Sequence, residues 1–258
     1  MRYCIITRND EKSNQIENEI KPKINLIYDD VTPNYVIAIG GDGTIIKATH
    51  SYPNSIIFGI HTGHLGFFAN YSIDEIEILI DDINNKSFNV DKIDLLSCKI
   101  NDADGGVIYG SAINEITVVT PPRTLILDVF IDDEYFEKFR GTGFCISTPS
   151  GSTAYNKSLH GSVIDSSLKV MQLTEIAGIN SNAYRTLSSP LVLSSNRRIK
   201  LDAEKPQDVF ITVDHLSYNV NNFKNIEIFY DGNSIKMAYH NHESFLKRIN
   251  RTFLISQE

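Results

Sequence analysis

The chain has 258 residues, 41% hydrophobic and 22% charged, the make-up of a globular protein with room for one large domain or two modest ones. Its net charge of −8 argues against nonspecific binding of nucleic acid or of an anionic membrane surface, since both want a basic face. Three scattered cysteines (Cys4, Cys98 and Cys145) make neither a disulfide framework nor a zinc site; with no apolar stretch of membrane-spanning length and no signal peptide, a cytoplasmic protein is expected.

Taken in order, residues 3–7 read as a strand, 10–20 as a surface helix with Ile16 and Ile20 on one face, 24–28 as a second strand and 29–33 as a turn. Residues 35–39, Tyr-Val-Ile-Ala-Ile, read as a buried strand. They run into Gly40-Gly41-Asp42-Gly43-Thr44 and then a short helix over 45–51. A strand passing through glycines into a helix N-terminus is a ready anion site, because backbone N–H groups point outward and the helix dipole favours negative charge. The glycines let phosphate oxygens approach without a Cβ in the way. Asp42 is the unexpected member. A carboxylate beside phosphate costs repulsion unless it holds a metal or takes a proton from a nucleophile. The pattern is neither GxxxxGK[ST] nor GxGxxG. A strand at 56–60 and an acidic helix over 73–82 complete an alternating β/α grammar, which implies a mainly parallel sheet with its ligand at the carboxyl ends of the strands. The loop His61-Thr62-Gly63-His64-Leu65-Gly66-Phe67-Phe68 follows a strand directly and could share a crevice with Gly40–Thr44.

From about Leu95 short β-rich runs take over: 95–100, 107–112, 115–120, 125–131, 134–140, 198–201, 209–213, 226–230 and 235–239, separated by turn residues. This is sandwich grammar. The fold class expected is therefore an α/β N-terminal domain with a Rossmann-like parallel sheet (residues 1–94) followed by an all-β, sandwich-like C-terminal domain (95–240). A basic, amphipathic segment over 245–255 lies within a tail, 241–258, expected to pack back on the first domain. Between a strand at 144–147 and a helix start lies Thr148-Pro149-Ser150-Gly151-Ser152-Thr153-Ala154-Tyr155-Asn156-Lys157-Ser158, whose hydroxyls and amides suit a polar ligand. Composition alone reads Asn114-Glu115 as a surface pair, Asp214-His215 as a local turn, and Tyr184-Arg185 as a packing aromatic beside a surface cation. His61 and His64 lack a nearby carboxylate or cysteine to complete a metal set.

Taken together, these segments resemble the bacterial-type NAD kinases nearly from end to end. The resemblance is carried by Gly40–Thr44, by 59–67, by Asn114-Glu115, by Thr148-Pro149-Ser150-Gly151-Ser152-Thr153-Ala154-Tyr155-Asn156 and by Val213-Asp214-His215. GGDGT alone is shared with diacylglycerol and sphingosine kinases; the second glycine-serine stretch is far more specific. The resemblance implies a homotetramer that moves the γ-phosphoryl of ATP, with a divalent cation such as Mg2+, to the adenosine ribose 2′-OH of NAD+. Inorganic polyphosphate is a donor for some members. Carried onto this chain, Asp42 would accept the proton. Gly40, Gly41, Gly43 and Thr44 would cradle phosphate, with Asp42 and Gly43 also touching NAD. Phe67 and Phe68 would line an adenine pocket, and Asn114 and Glu115 would hold adenosine, the carboxylate matching a ribose diol. Thr153, Ala154, Tyr155, Asn156, Lys157 and Ser158 would line the dinucleotide site, with Arg140 and Thr142 near it. Ala177, Tyr184 and His215 would contribute at a subunit boundary. Three departures stand out: His160-Gly161 where relatives often have Gly-Gly, Asn180-Ser181-Asn182 where they often have Asn-Asn-Arg, and Thr142 where they commonly have Asp. The alternatives are a lipid kinase, disfavoured by the negative charge, and a silent dinucleotide sensor, disfavoured by Asp42.

Overall fold

The computed structural model describes residues 1–63, 66–120 and 123–254; His64, Leu65 and Ile255, named above, lie outside them. The chain divides into two compact units, one formed by Met1–Ile93 with Ser234–Glu258 and the other by Asp94–Asn233.

In the first unit the strands β1 (Arg2–Thr7), β2 (Ile27–Tyr28), β3 (Tyr35–Gly40) and β4 (Ile56–His61) alternate with helices α1 (Glu11–Ile20), α2 (Asp42–Ser51) and α3 (Ile76–Asn85). All neighbouring pairs are parallel: β2 with β1, β1 with β3, and β3 with β4. The end of the chain's last strand joins β4 in parallel through Lys236 and Met237. Every residue of β3 is buried, as a strand covered on both faces requires. Asp10 caps α1 in a reciprocal box with Ser13, and Ile16 and Ile20 turn inward. The expected second strand is shorter than its apolar run, because Lys21–Lys23 continues as a 3-10 turn with Pro22 in it. The core joins Tyr35, Ile37, Ile39, Phe58 and Ile60 with Leu79 and Ile83 of α3.

The second unit contains β5 (Asn89–Asp102, from Asp94 onward), β6 (Val107–Ala112), β7 (Glu115–Val119), β8 (Leu125–Ile131), β9 (Glu134–Gly141), β10 (Gly143–Ser147), β11 (Val170–Ile176), β12 (Leu191–Ser194), β13 (Ile199–Val213) and the greater part of β14 (Leu216–Tyr239). The pairs β7–β10, β10–β11, β11–β12, β7–β13, β8–β13 and β13–β14 are all antiparallel. β13 is one strand where two runs are expected from sequence. Its first half pairs β8 and its second half β7, and the polar stretch between them, with Pro206, coincides with the register shifts between Asp202 and Val209. Pattern reading omits two strands, β11 and β12, and for β11 the reason is physical. Gln172 and Thr174 are buried at 0% and 2% exposure, so polar residues stand where apolar ones would mark a core strand. Gln172 replaces water with Ser162, accepting its N–H at 2.8 Å and donating to its carbonyl at 3.1 Å.

Candidate active site

In the first unit β3 delivers Gly40 beside His61 of β4, and Thr62 N–H donates to the Gly40 carbonyl at 3.3 Å. The glycine turn and the loop after β4 therefore meet, as their positions after adjacent strands imply. A Cβ on Gly40 would lie 2.4 Å from Thr44 Oγ1, so this glycine serves a close approach; Gly41 and Gly43 face open space. Gly41 is the N-cap of α2 and no side chain caps it, which leaves the helix start for an external acceptor. Asp42 opens the helix and turns its carboxylate to the other loop: Oδ2 accepts Phe67 N–H at 2.8 Å and Oδ1 accepts Phe68 N–H at 3.0 Å. A Cβ at Gly66 would lie 2.2 Å from Oδ1. Gly66 is thus what lets the loop close over the carboxylate. The carbonyls of this loop are held from the chain's far end, by Arg248 at Phe67 and by Arg251 at Gly66. Phe68 is buried at 5% exposure, with its amide turned to Asp42. Phe67 rests on Phe253, with ring centroids 5.5 Å apart.

In the second unit Asn114 and Glu115 are not a surface pair. Asn114 is 8% exposed. Asn114 Oδ1, Glu115 Oε2 and Ser147 Oγ are buried without a protein partner, and Ser147 pairs directly opposite Glu115 on β10. Three unmatched polar atoms in one place are costly unless something else satisfies them. Burial, and then the charge of Asp214, push the Glu115 carboxyl up to about 7 against the opposing amide of Tyr155. The reason for Asp214 is also visible. At φ 53° in the β13–β14 turn, its carboxylate accepts the N–H groups of Ile113, Asn114 and Glu115 at 2.8, 2.8 and 3.3 Å. It fixes the backbone that presents the pair, with exposed His215 next to it.

The hydroxyls of the Thr148–Ser158 stretch are largely spent on the turn itself. Thr148 donates to Ile113 O at 2.6 Å, Ser152 to Pro149 O at 2.6 Å and Thr153 to Ser150 O at 3.0 Å. Gly151 packs on Asn114, with a Cβ there only 2.0 Å from the Asn114 carbonyl. Asn156, which the resemblance places among the NAD-binding residues, braces the turn from within. It is fully buried, its Oδ1 accepts from Thr174 at 2.7 Å and its Nδ2 reaches the Ser152 and Ser162 carbonyls. Tyr155, Lys157 and Ser158 sit exposed on a single helical turn, Tyr155–Ser158, after half-buried Ala154.

Arg140, Thr142, Ala177 and Tyr184 form a separate group. The Arg140 guanidinium lies 4.2 Å over the Tyr184 ring, Ile179 N–H donates to the Arg140 carbonyl at 2.7 Å, and Thr142 N–H donates to Ile176 O at 2.9 Å. The glycines flanking Thr142 serve close backbone approaches. A Cβ on Gly143 would lie 2.0 Å from the Val118 carbonyl, and one on Gly141 would lie 2.7 Å from that of Ala177. Thr142 sits before Gly143, at the end of β10 opposite Ser147 and Glu115, and four residues of strand separate those ends by about 13 Å. One chain thus carries the expected dinucleotide contacts in two groups.

His160 adopts φ 60°, the left-handed conformation that glycine takes without penalty. A Cβ on Gly161 would lie 2.3 Å from the Asn156 side chain, so of the two positions only the second demands glycine. Replacing His160 by Gly should stabilise the protein slightly, by up to about 1 kcal/mol or roughly 2–4 °C in Tm. An unchanged or lower Tm by calorimetry counts against strain at this position.

A glycine turn uncapped at a helix start, a carboxylate held inside it, and a β-rich unit with a buried polar cluster define a kinase-type phosphate site and a polar-ligand site on one chain. The chain belongs to the ATP-NAD kinase family: residues 6–88 match the ATP-NAD kinase N-terminal domain and residues 113–233 the C-terminal domain. It is 39% identical to the NAD kinase of Staphylococcus aureus strain JH9, covering 100% of this chain and 99% of that protein. Among solved structures, yeast NADH kinase complexed with NADH matches with a TM-score of 0.83 at 19% identity, over 100% of this chain and 89% of that one. An NAD kinase from Archaeoglobus fulgidus in complex with ATP matches at 0.76 and 22%, over 99% and 100%. The two-domain fold expected from sequence, α/β followed by mostly β, is the fold of this family. Among the described residues no group of three or more His, Cys, Asp or Glu could hold a metal ion, and no helix is long and apolar enough to cross a membrane.

Proposed function

We propose that this chain phosphorylates the adenosine ribose 2′-OH of NAD+ with ATP, giving NADP+ and ADP. The observation that carries the reading is Asp42: a carboxylate fixed by two amides beside the open glycines Gly41 and Gly43. The 2′-oxygen forms its bond to the γ-phosphorus as the bridging bond to ADP breaks, and Asp42 takes the hydroxyl proton. Gly40, Gly41, Gly43 and Thr44 hold the donor phosphates through backbone N–H groups. Positioning and charge neutralisation supply most of the rate. A divalent cation of the magnesium type binds one or two carboxylates and fills its other positions with phosphate oxygens and water. Such a cation would neutralise phosphate charge, and Asp42 would be the carboxylate of the glycine turn available to it.

Asn114, Glu115 and Ser147 present unmatched polar atoms that the adenosine part of NAD satisfies, with Tyr155, Thr153, Ala154, Lys157 and Ser158 lining the approach. Arg140, Thr142, Ala177 and Tyr184 lie at the other end of β10, with His215 in the Asp214 turn. A site completed by a second copy in a homotetramer accounts for this division into two groups. The decisive assay offers NAD+, NADH and diacylglycerol with ATP or polyphosphate. NADP+ formation from NAD+ and ATP is expected, whereas phosphorylation of diacylglycerol in its place overturns the reading.

Glu115 gives a pH signature. Its carboxyl is raised in the folded state to about 7, above an unfolded value of about 4.3. The folded protein therefore prefers the proton, and the stability this represents is full below the unfolded value and lost as pH rises toward 7. Ionisation over the same interval creates the better acceptor for a ribose diol. KM for NAD+ is expected to fall as pH rises through about 7, while Glu115→Gln removes that dependence and removes the loss of Tm between about pH 5 and 7. A variant that keeps both trends shows that another group titrates.

A further inference from the structure

Two planar peptide units stand between the catalytic carboxylate and the C-terminal segment. In the first, Gly66–Phe67, the N–H goes to Asp42 Oδ2 at 2.8 Å and the carbonyl accepts from Arg251 Nη2 at 3.2 Å. In the second, Phe67–Phe68, the N–H goes to Asp42 Oδ1 at 3.0 Å and the carbonyl accepts from Arg248 Nη1. The C=O and N–H of a trans peptide point in opposite directions within one rigid plane. A guanidinium that fixes the carbonyl therefore also aims the amide, and a cation at the oxygen polarises the N–H it faces across the unit.

Both arginines are themselves anchored. Arg248 Nη2 donates to Asn70 Oδ1 at 3.0 Å, and Asn70 Nδ2 donates to the Ala238 carbonyl at 3.1 Å. Arg251 Nη1 lies 2.8 Å from one oxygen of Glu243 and 2.9 Å from the other, and Arg248 Nε lies 3.5 Å from the first of these. Burial pulls the Arg251 guanidinium down from its ordinary range, an effect that Glu243 opposes. The whole assembly, including the Phe67–Phe253 ring contact, belongs to the first unit.

We propose that Arg248 and Arg251 are positioning residues for Asp42, each clamping one of the two peptide units whose amides aim its carboxylate at the acceptor hydroxyl. The inference rests on the reading of Asp42 as proton acceptor. It gives the C-terminal basic segment a part in turnover that does not involve touching substrate. Arginine suits the task because its fork reaches two acceptors at fixed angles, Phe67 O and Asn70 Oδ1 in the case of Arg248; a lysine ammonium cannot span both with the same constraint.

The test is a double-mutant cycle with steady-state kinetics on the full chain. Arg248→Gln is expected to lower kcat by about ten- to a hundred-fold, the scale of a small misplacement of a catalytic group, with KM for NAD+ and ATP changed less than about threefold. Arg248→Lys should recover part of the loss. In an Asp42→Asn background the same Arg248→Gln change should cost less than about twofold, because the group it positions is gone. Should Arg248→Gln fail to fold, Glu243→Gln, which keeps both arginines and loosens their anchor, is put through the same cycle with a smaller expected drop. A loss that multiplies undiminished on Asp42→Asn marks general structural damage and overturns the proposal, as does wild-type kcat in the single variants. Wild-type turnover in Asp42→Asn alone is a separate result that removes the base assignment itself, and the clamp with it.

Discussion

Replacing Asp42 by Asn is expected to lower kcat by about 10²–10⁴, the usual cost of losing a general base, while NAD+ affinity stays within a few-fold. The variant is nearly isosteric, so the glycine turn keeps its shape. The amide still offers one oxygen to the Phe67 and Phe68 N–H groups, which contact both carboxylate oxygens in the wild type. Its NH2 cannot accept the other, so some loosening of the loop accompanies the loss of the base. Equilibrium binding separates the two effects: a loop that has collapsed changes ligand affinity, whereas a missing base changes turnover alone. Near-wild-type turnover would falsify the role of Asp42.

Gly66→Ala should be nearly as damaging, although position 66 carries no chemistry of its own. An added Cβ would lie 2.2 Å from Asp42 Oδ1, 2.3 Å from Cγ and 2.4 Å from Oδ2. These distances are well inside van der Waals contact, so the carboxylate must rotate away or the loop must lift. Either movement breaks the amide contacts and misplaces the base by about an ångström, which costs on the order of 10² in kcat. Other contacts of the first unit's core, such as Ile39, Phe58 and Ile60, are untouched, so Tm should fall by only a few degrees, the cost of the two amide bonds that are lost. Kinetics and calorimetry on the same preparation check both statements. A variant with normal kcat shows that the loop does not need to close on Asp42.

Much of this was legible in the amino-acid order because the signals are local. The buried run before Gly40, the box that starts α1 and the turn residues between β-strands each act over a few positions. What escaped acts over long separations or hides its polarity. β11 carries buried Gln172 and Thr174, whose partners Ser162 and Asn156 precede the strand and give it no apolar alternation. Glu115 reads as a surface residue until Asp214, about a hundred positions later, is seen holding its backbone. Arg248 reaches a carbonyl 181 positions away. The one sequence trace of the clamp is the three-residue spacing of Arg248 and Arg251, which sets both guanidiniums on one side of a helical segment. Position 160 shows the opposite case. The departure from Gly-Gly is conspicuous in sequence, yet in the fold the demanding position is Gly161 beside Asn156.

The central claim, phosphoryl transfer from ATP to the 2′-hydroxyl of the adenosine ribose, is tested most directly by phosphorus NMR of the product formed from NAD+ and ATP. The expected spectrum gains one phosphomonoester resonance on the dinucleotide for each ADP released, coupled to the ribose H2′, and the Asp42→Asn variant gains none on the same timescale. ADP released without a new ester on the dinucleotide, or an ester at another hydroxyl, contradicts the account.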